Sequence, residues 1–104
     1  MIIAIDLGKF KSVACTYQTV TGDHTFTTLP TQPQAFHDLL VQQQPDRVVV
    51  EVGSQSGWVC DLCETLEIDI QVVNPNHEAW RWKNVKRKTD KDDALKLAQL
   101  SSMN

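Results

Sequence analysis

Two short runs without a polar interruption most constrain how this chain can fold. They are Ile2-Ile3-Ala4-Ile5 and Val48-Val49-Val50, and each ends on a carboxylate, Asp6 and Glu51. A strand with one wet face alternates apolar and polar residues, whereas a strand buried on both faces reads as a continuous apolar run. Both runs therefore read as central strands of a sheet covered on both sides. A carboxylate closing such a strand is costly unless it is paired, hydrogen-bonded or bound to a metal.

The rest of the chain supplies the other elements. Gly8 permits a tight turn after the first strand. Residues 12–18 alternate, with Val13, Cys15 and Tyr17 on one face, and read as a half-buried strand. Thr21-Gly22-Asp23 marks a turn, and 24–29 form a third strand, closing an antiparallel meander. Thr31 is expected to cap a helix reaching about Gln43, with Ala35, Phe36, Leu39 and Leu40 as its apolar stripe. Residues 47–52 are the fourth strand, 53–57 a Gly-flanked loop, 58–66 a second helix and 68–73 a fifth strand. Residues 77–88 read as irregular, and Thr89 caps a last helix over 90–100, with Asp92 as its capping-box partner. The order β-β-β-α-β-α-β-α predicts an α/β fold: a mixed five-stranded sheet with helices on both faces. A crossover can set the fourth strand beside the first, bringing their carboxyl ends together where open α/β sheets place their sites.

With 104 residues the chain is one domain, 1–104. No apolar run approaches the ~20 residues that span a bilayer, and the start is not a signal peptide. A cytoplasmic protein with no membrane partner is expected. Three cysteines, Cys15, Cys60 and Cys63, are an odd number and too few for a disulfide scaffold. The last helix runs into Ser101-Ser102-Met103-Asn104 without a clear stop signal, so a piece of a longer protein is expected.

The net charge of −3 hides an asymmetry. Residues 1–80 carry three Lys/Arg and ten Asp/Glu, a net of −7, while 81–104 carry seven Lys/Arg and three Asp, a net of +4. Arg81, Lys83, Lys86, Arg87, Lys88 and Lys91 crowd one stretch with Trp80 and Trp82 interleaved. Cations neutralise phosphates and aromatic rings stack on exposed bases. Arg81, Lys83, Lys86, Arg87, Lys88, Lys91 and Trp82, together with Lys9, are the candidate nucleic-acid contacts. A solvated loop with Trp80 in the core is the plainer alternative.

That stretch leads into Asp90 and Asp93, three apart and so on one helix face. Mg²⁺ requires hard oxygen ligands in near-octahedral geometry, and two ions roughly 3.5–4 Å apart can activate an attacking oxygen and stabilise a leaving one. Asp6, Glu51, Asp90 and Asp93 are thus the candidate catalytic and metal-binding residues, for Mg²⁺ or its substitute Mn²⁺. Taken alone, Asp90 and Asp93 read first as helix-start residues, favoured by capping and the helix dipole. Cys60-Asp61-Leu62-Cys63 lacks the second pair that a zinc site needs and reads as core or half-buried thiols. His24, His37 and His77 are scattered. Ser54 and Ser56 lie beside Glu51 without a His–Asp set, as loop or cap residues.

Ile5-Asp6-Leu7-Gly8-Lys9, Val50-Glu51 with Gly53-Ser54-Gln55-Ser56-Gly57-Trp58, Val73-Asn74-Pro75, and Lys86-Arg87-Lys88-Thr89-Asp90-Lys91-Asp92-Asp93-Ala94 together carry a resemblance. The chain resembles the N-terminal, RuvC-like domain of bacterial DEDD-motif insertion-sequence transposases. The resemblance implies an RNase H-like fold, Mg²⁺ held by Asp6, Glu51, Asp90 and Asp93, and cleavage and transfer of DNA strands. It also implies a serine nucleophile on a C-terminal domain, a guide RNA in the full-length protein and a homo-oligomer. Two alternatives stand beside it. An actin/Hsp70-like ATPase lobe also opens on Asp-x-Gly, but it needs a second lobe. A non-catalytic nucleic-acid-binding module would need only the basic stretch.

Overall fold

The computed structural model describes residues 1–74 and 90–103. The three strands of the meander are β1 (Ile2–Asp6), β2 (Lys11–Tyr17) and β3 (His24–Pro30). Then come α1 (Pro33–Gln43), β4 (Arg47–Glu51), α2 (Ser56–Thr65), β5 (Asp69–Val73) and α3 (Asp90–Ser102). The sheet order is β3-β2-β1-β4-β5. β1 pairs antiparallel with β2 and parallel with β4, with Ile5 opposite both Ala14 and Val50. The expected mixed five-stranded sheet, with strand four beside strand one, is the one observed.

Period-two alternation divides the central strands between two cores. Ile3, Ile5, Val48 and Val50 pack with Phe36, Leu39, Leu40, Val59 and Cys63, the face covered by α1 and α2. The Trp58 ring meets Phe36 edge-on at 4.9 Å between centroids, and its indole N–H donates to Gln55 Oε1 at 2.6 Å. On the opposite face Ile2, Ala4, Val13, Cys15, Val49 and Val73 pack against Ala94, Leu97 and Ala98 of α3. The second strand is therefore covered on both sides rather than half-buried, because Ser12 and Ala14 are closed over as fully as Val13 and Cys15.

Local chemistry sets several boundaries. Thr31 does not cap α1. Its N–H donates to the Phe10 carbonyl at 3.0 Å and its hydroxyl bonds the Ser12 hydroxyl at 2.6 Å, so it extends the β2–β3 pairing. The N-cap falls to Gln32, with Pro33 at the first turn where its missing N–H costs nothing. α1 ends on Gln44 in the left-handed region at φ 48°, just before Pro45. α2 starts two residues earlier than Trp58. Ser56 Oγ donates to the Gly53 carbonyl at 2.8 Å and accepts the Gly53 N–H at 3.2 Å, closing the loop into the helix. Gly8 is required sterically: a Cβ there would lie 2.1 Å from the Lys11 carbonyl oxygen.

Candidate metal and DNA site

Asp6 follows Ile2 and Ala4 on the face that α3 covers, and Glu51 follows Val49 on the same face. Because β1 and β4 are parallel, with Ile5 opposite Val50, the two carboxylates end adjacent strands side by side. Beyond them β4 is kept in register by the Val52 N–H donating to the Val73 carbonyl at 2.8 Å. Asp6 and Glu51 are half-buried. Both line a cleft of about 280 Å³ with Ile5, Leu7, Val52, Gly53, Ser54 and Gln55. The cleft lies outside the carboxyl ends of the strands, where open α/β sheets place ligands.

The direction of α3 follows from its far end. Ser101 is fully buried. Its hydroxyl donates to Gln71 Oε1 at 2.6 Å, and Arg47 Nη1 donates to its carbonyl at 3.2 Å. Arg47 and Asp69 open β4 and β5, and the Arg47 Nε–H donates to Asp69 at 3.4 Å. The helix C-terminus therefore lies over the strand starts, and α3 runs back toward the strand ends. Asp93 stands eight residues before Ser101, ~12 Å along a helix, and Glu51 stands four after Arg47, ~13 Å along a strand. Asp93 thus arrives at the level of Asp6 and Glu51. It shares a helix stripe with Ala94, Leu97, Ala98 and Ser101, the residues that meet the sheet.

Asp93 is half-buried, and its Oδ1 is shielded from solvent with no hydrogen-bond partner. A buried carboxylate oxygen left so loses water without gaining a donor, at ~1–3 kcal/mol or more for a charged group. A bound cation would supply what this oxygen lacks. The donor set at this end of the sheet is all carboxylate, the chemistry that suits hard divalent ions. Among the described residues, however, no group of three or more Asp, Glu, His or Cys side chains is placed to hold a metal ion. Asp90 is the first residue of α3.

The other residues singled out in the sequence fall in different places. Lys9 is exposed, with its Nζ 5.3 Å from the Phe10 ring centroid. Lys91 is exposed, with its Nζ 5.8 Å from the Phe26 centroid. Arg81, Trp82, Lys83, Lys86, Arg87 and Lys88 lie outside the described residues, as do Trp80, His77 and Thr89. Cys15 and Cys63 are buried, and burial pushes each thiol up to about 11. Cys60 is half-exposed, and the Ser56 hydroxyl is bonded to the Gly53 backbone. Ser54 lines the cleft. The Arg47–Ser101–Gln71 contacts were not foreseen. A serine on the apolar stripe of α3, at the spacing of Leu97, was the available signal.

The transposase family model of the IS110 DEDD type matches residues 3–104. A search of curated protein sequences found no match. Among solved structures, the chain is similar to the catalytic core domain of BIV integrase, at TM-score 0.50 and 11% identity over 94% of this chain and 81% of that one. It is also similar to the Fowlpox virus resolvase, in a complex with Holliday junction DNA, at TM-score 0.51 and 14% identity over 88% of this chain and 66% of the resolvase. At these identities the likeness concerns the fold, and that fold is RNase H-like. The match over nearly the whole length decides the rest: the chain belongs to the IS110-type DEDD family of transposases, a domain of the DNA-recombining kind.

Proposed function

We propose that this domain holds divalent metal, Mg²⁺ or Mn²⁺, between Asp6, Glu51, Asp90 and Asp93, and uses it to cleave and transfer DNA strands. The observation that carries the reading is the pair Asp6 and Glu51, which end adjacent parallel strands and line one cleft; the Asp93 oxygen buried without a partner, on the helix that covers the same face, supports it. When bound, the metal polarises a phosphodiester and lowers the charge that an attacking oxygen must approach. The residues of the chain do the rest. Asp6 and Glu51 are held at fixed spacing by the β1–β4 ladder, so two ligands are oriented before metal arrives. Asp93, on the stripe of α3 that packs on the same face, is proposed to complete the set with Asp90. The apolar layer beneath, with Ile5 and Val50 fully buried, excludes water from below and strengthens the electrostatics of the site.

Arg81, Lys83, Lys86, Arg87, Lys88 and Lys91, with Trp82 and Lys9, are proposed to receive the DNA. Their support is their charge and their place in the sequence just before α3. The resemblance to insertion-sequence transposases supports the further reading that the nucleophile is a serine of a C-terminal domain. It likewise supports a guide RNA and self-association in the complete enzyme, and action in the cytoplasm. Among the described residues no helix is long and apolar enough to cross a membrane. The family match favours this reading over an ATPase lobe or a non-catalytic binding module.

Calorimetric titration of the chain with Mn²⁺ and Mg²⁺ tests the site. Binding is expected for the wild type, together with metal-dependent NMR shifts at Asp6, Glu51, Asp90 and Asp93. Asp6→Asn should weaken it by tenfold or more, about 1.4 kcal/mol. No binding by the wild type would overturn the reading.

A further inference from the structure

We propose that Phe10 is a DNA contact, stacking on an unpaired base beside the carboxylate cleft while Lys9 and Lys11 hold the flanking phosphates. The inference rests on the reading of the cleft as a DNA-processing site, and goes beyond it by naming a residue and a DNA form. Phe10 is 80% exposed and is the one exposed Phe, Tyr or Trp among the described residues. Burying a phenylalanine side chain stabilises a fold by ~1.5–3 kcal/mol, so one left in solvent forgoes that gain unless something else covers it.

The ring is displayed from an anchored backbone. The Phe10 carbonyl accepts the Thr31 N–H at 3.0 Å. The preceding turn is closed by the Gly8 N–H donating to Ser12 Oγ at 3.3 Å, and Ser12 is tied to Thr31 at 2.6 Å. Phe10 follows Asp6 by four residues, at most ~13 Å of chain, and Leu7 between them lines the cleft. The aromatic therefore stands at the same end of the sheet as the carboxylates.

Charge points to the partner. Residues 1–74 contain only three Lys/Arg: Lys9, Lys11 and Arg47. Arg47 is hydrogen-bonded to Ser101 and Asp69 at the far end of the sheet. The other two, both exposed, flank Phe10, and the Lys9 ammonium lies 5.3 Å from its ring centroid. In an otherwise acidic half, paired cations around an exposed ring match a polyanion that also offers π-faces. Bases in an intact duplex are already stacked, so an aromatic side chain gains most from one that is unpaired.

Fluorescence anisotropy with the 104-residue chain in Mg²⁺ buffer tests this on two labelled DNAs. One is a fully paired duplex, and the other is the same duplex with a short unpaired gap. Phe10→Ala is expected to bind the gapped DNA about tenfold more weakly and the paired DNA within about twofold of wild type. Phe10→Trp should restore the preference. Lys9→Gln and Lys11→Gln should weaken both DNAs and each lower the salt slope by about one. The exposure of Phe10 predicts an unchanged melting temperature for both Phe10 variants. Equal loss on the two DNAs, no loss on either, or a wild type that does not prefer the gap would overturn the proposal. So would a Phe10→Ala change in sedimentation showing that a second copy covers the ring. A wild type that binds metal but neither DNA overturns this inference and leaves the metal reading standing.

Discussion

The two ends of α3 are held in opposite ways. At its C-terminal end Ser101 is completely buried, yet its hydroxyl and carbonyl both find partners in Gln71 and Arg47. At its N-terminal end the buried Oδ1 of Asp93 finds none. The same helix, laid on the same apolar surface, is finished at one end and left one partner short at the other. A fold selected only for stability would satisfy both ends, because an unsatisfied buried carboxylate oxygen is destabilising. The asymmetry gives the C-terminal end the hydrogen bonds that hold the helix, and leaves the N-terminal end as the place where the proposed metal would bind.

The most severe way to break the contrast is to detach the helix from both ends. Leu97→Ala removes a 1%-exposed side chain from between them and should cost about 2–5 kcal/mol. Cys15 lies under α3, and its thiol is held up to about 11 by burial. Cys15 should therefore resist a thiol reagent at pH 8 in the wild type and become reactive in Leu97→Ala. Unchanged labelling and an unchanged denaturation midpoint would count against α3 as the cover of that face.

Acting on the finished end alone has a smaller effect. Ser101→Ala leaves the Gln71 side chain without its hydroxyl partner and should destabilise by about 1–3 kcal/mol, measured by urea unfolding. Metal affinity at temperatures well below unfolding should be affected far less than by Asp93→Asn. Acting on the unfinished end should reverse the pattern. Asp93→Asn should leave metal-free stability equal or up to about 1 kcal/mol higher, since it removes a poorly solvated charge. Mn²⁺ affinity should fall at least about tenfold. A clear loss of metal-free stability in Asp93→Asn would mean that this carboxylate is structural.

The smallest expected effect belongs to a charge at the C-terminal end of the helix that merely decorates it. The amino group of Met1 is hydrogen-bonded to Asp46 and holds its carboxyl below the usual carboxylate range. The folded value is the lower one, so any contribution is present above the ordinary carboxylate value and is lost as pH falls through the depressed one. Asp46 is fully exposed, and solvent screens the pair. Asp46→Asn should barely move the melting temperature at pH 7, and its small deficit should vanish in acid.

Much of the fold was legible because burial on two faces leaves a plain mark on a strand. Ile2–Ile5 and Val48–Val50 could only be interior, and the turn and helix signals between them permitted few topologies. Each misjudged boundary follows from a hydrogen-bond partner that the local pattern did not show. Thr31 is an ordinary capping residue in isolation, but Ser12 and Phe10, distant in sequence, offered its hydroxyl and N–H better partners. Ser56 likewise began α2 early because Gly53 came within reach. The half-buried reading of the second strand failed because its other face is closed as well: Ala14 packs in the core that α1 covers, with Leu29 and Phe36.

The sequence by itself determined that Asp6 and Glu51 would end interior strands, since an unbroken apolar run followed by a carboxylate admits little else. It also determined that Asp90 and Asp93, three apart, would stand together at the start of a helix. Only the tertiary structure decided how the elements that carry these carboxylates lie against one another. The parallel β1–β4 register sets Asp6 beside Glu51. The Arg47–Ser101–Gln71 contacts set the direction and height at which α3 delivers Asp93. Local patterns fix which face a side chain takes, but the meeting of residues far apart in the chain depends on how whole elements pack.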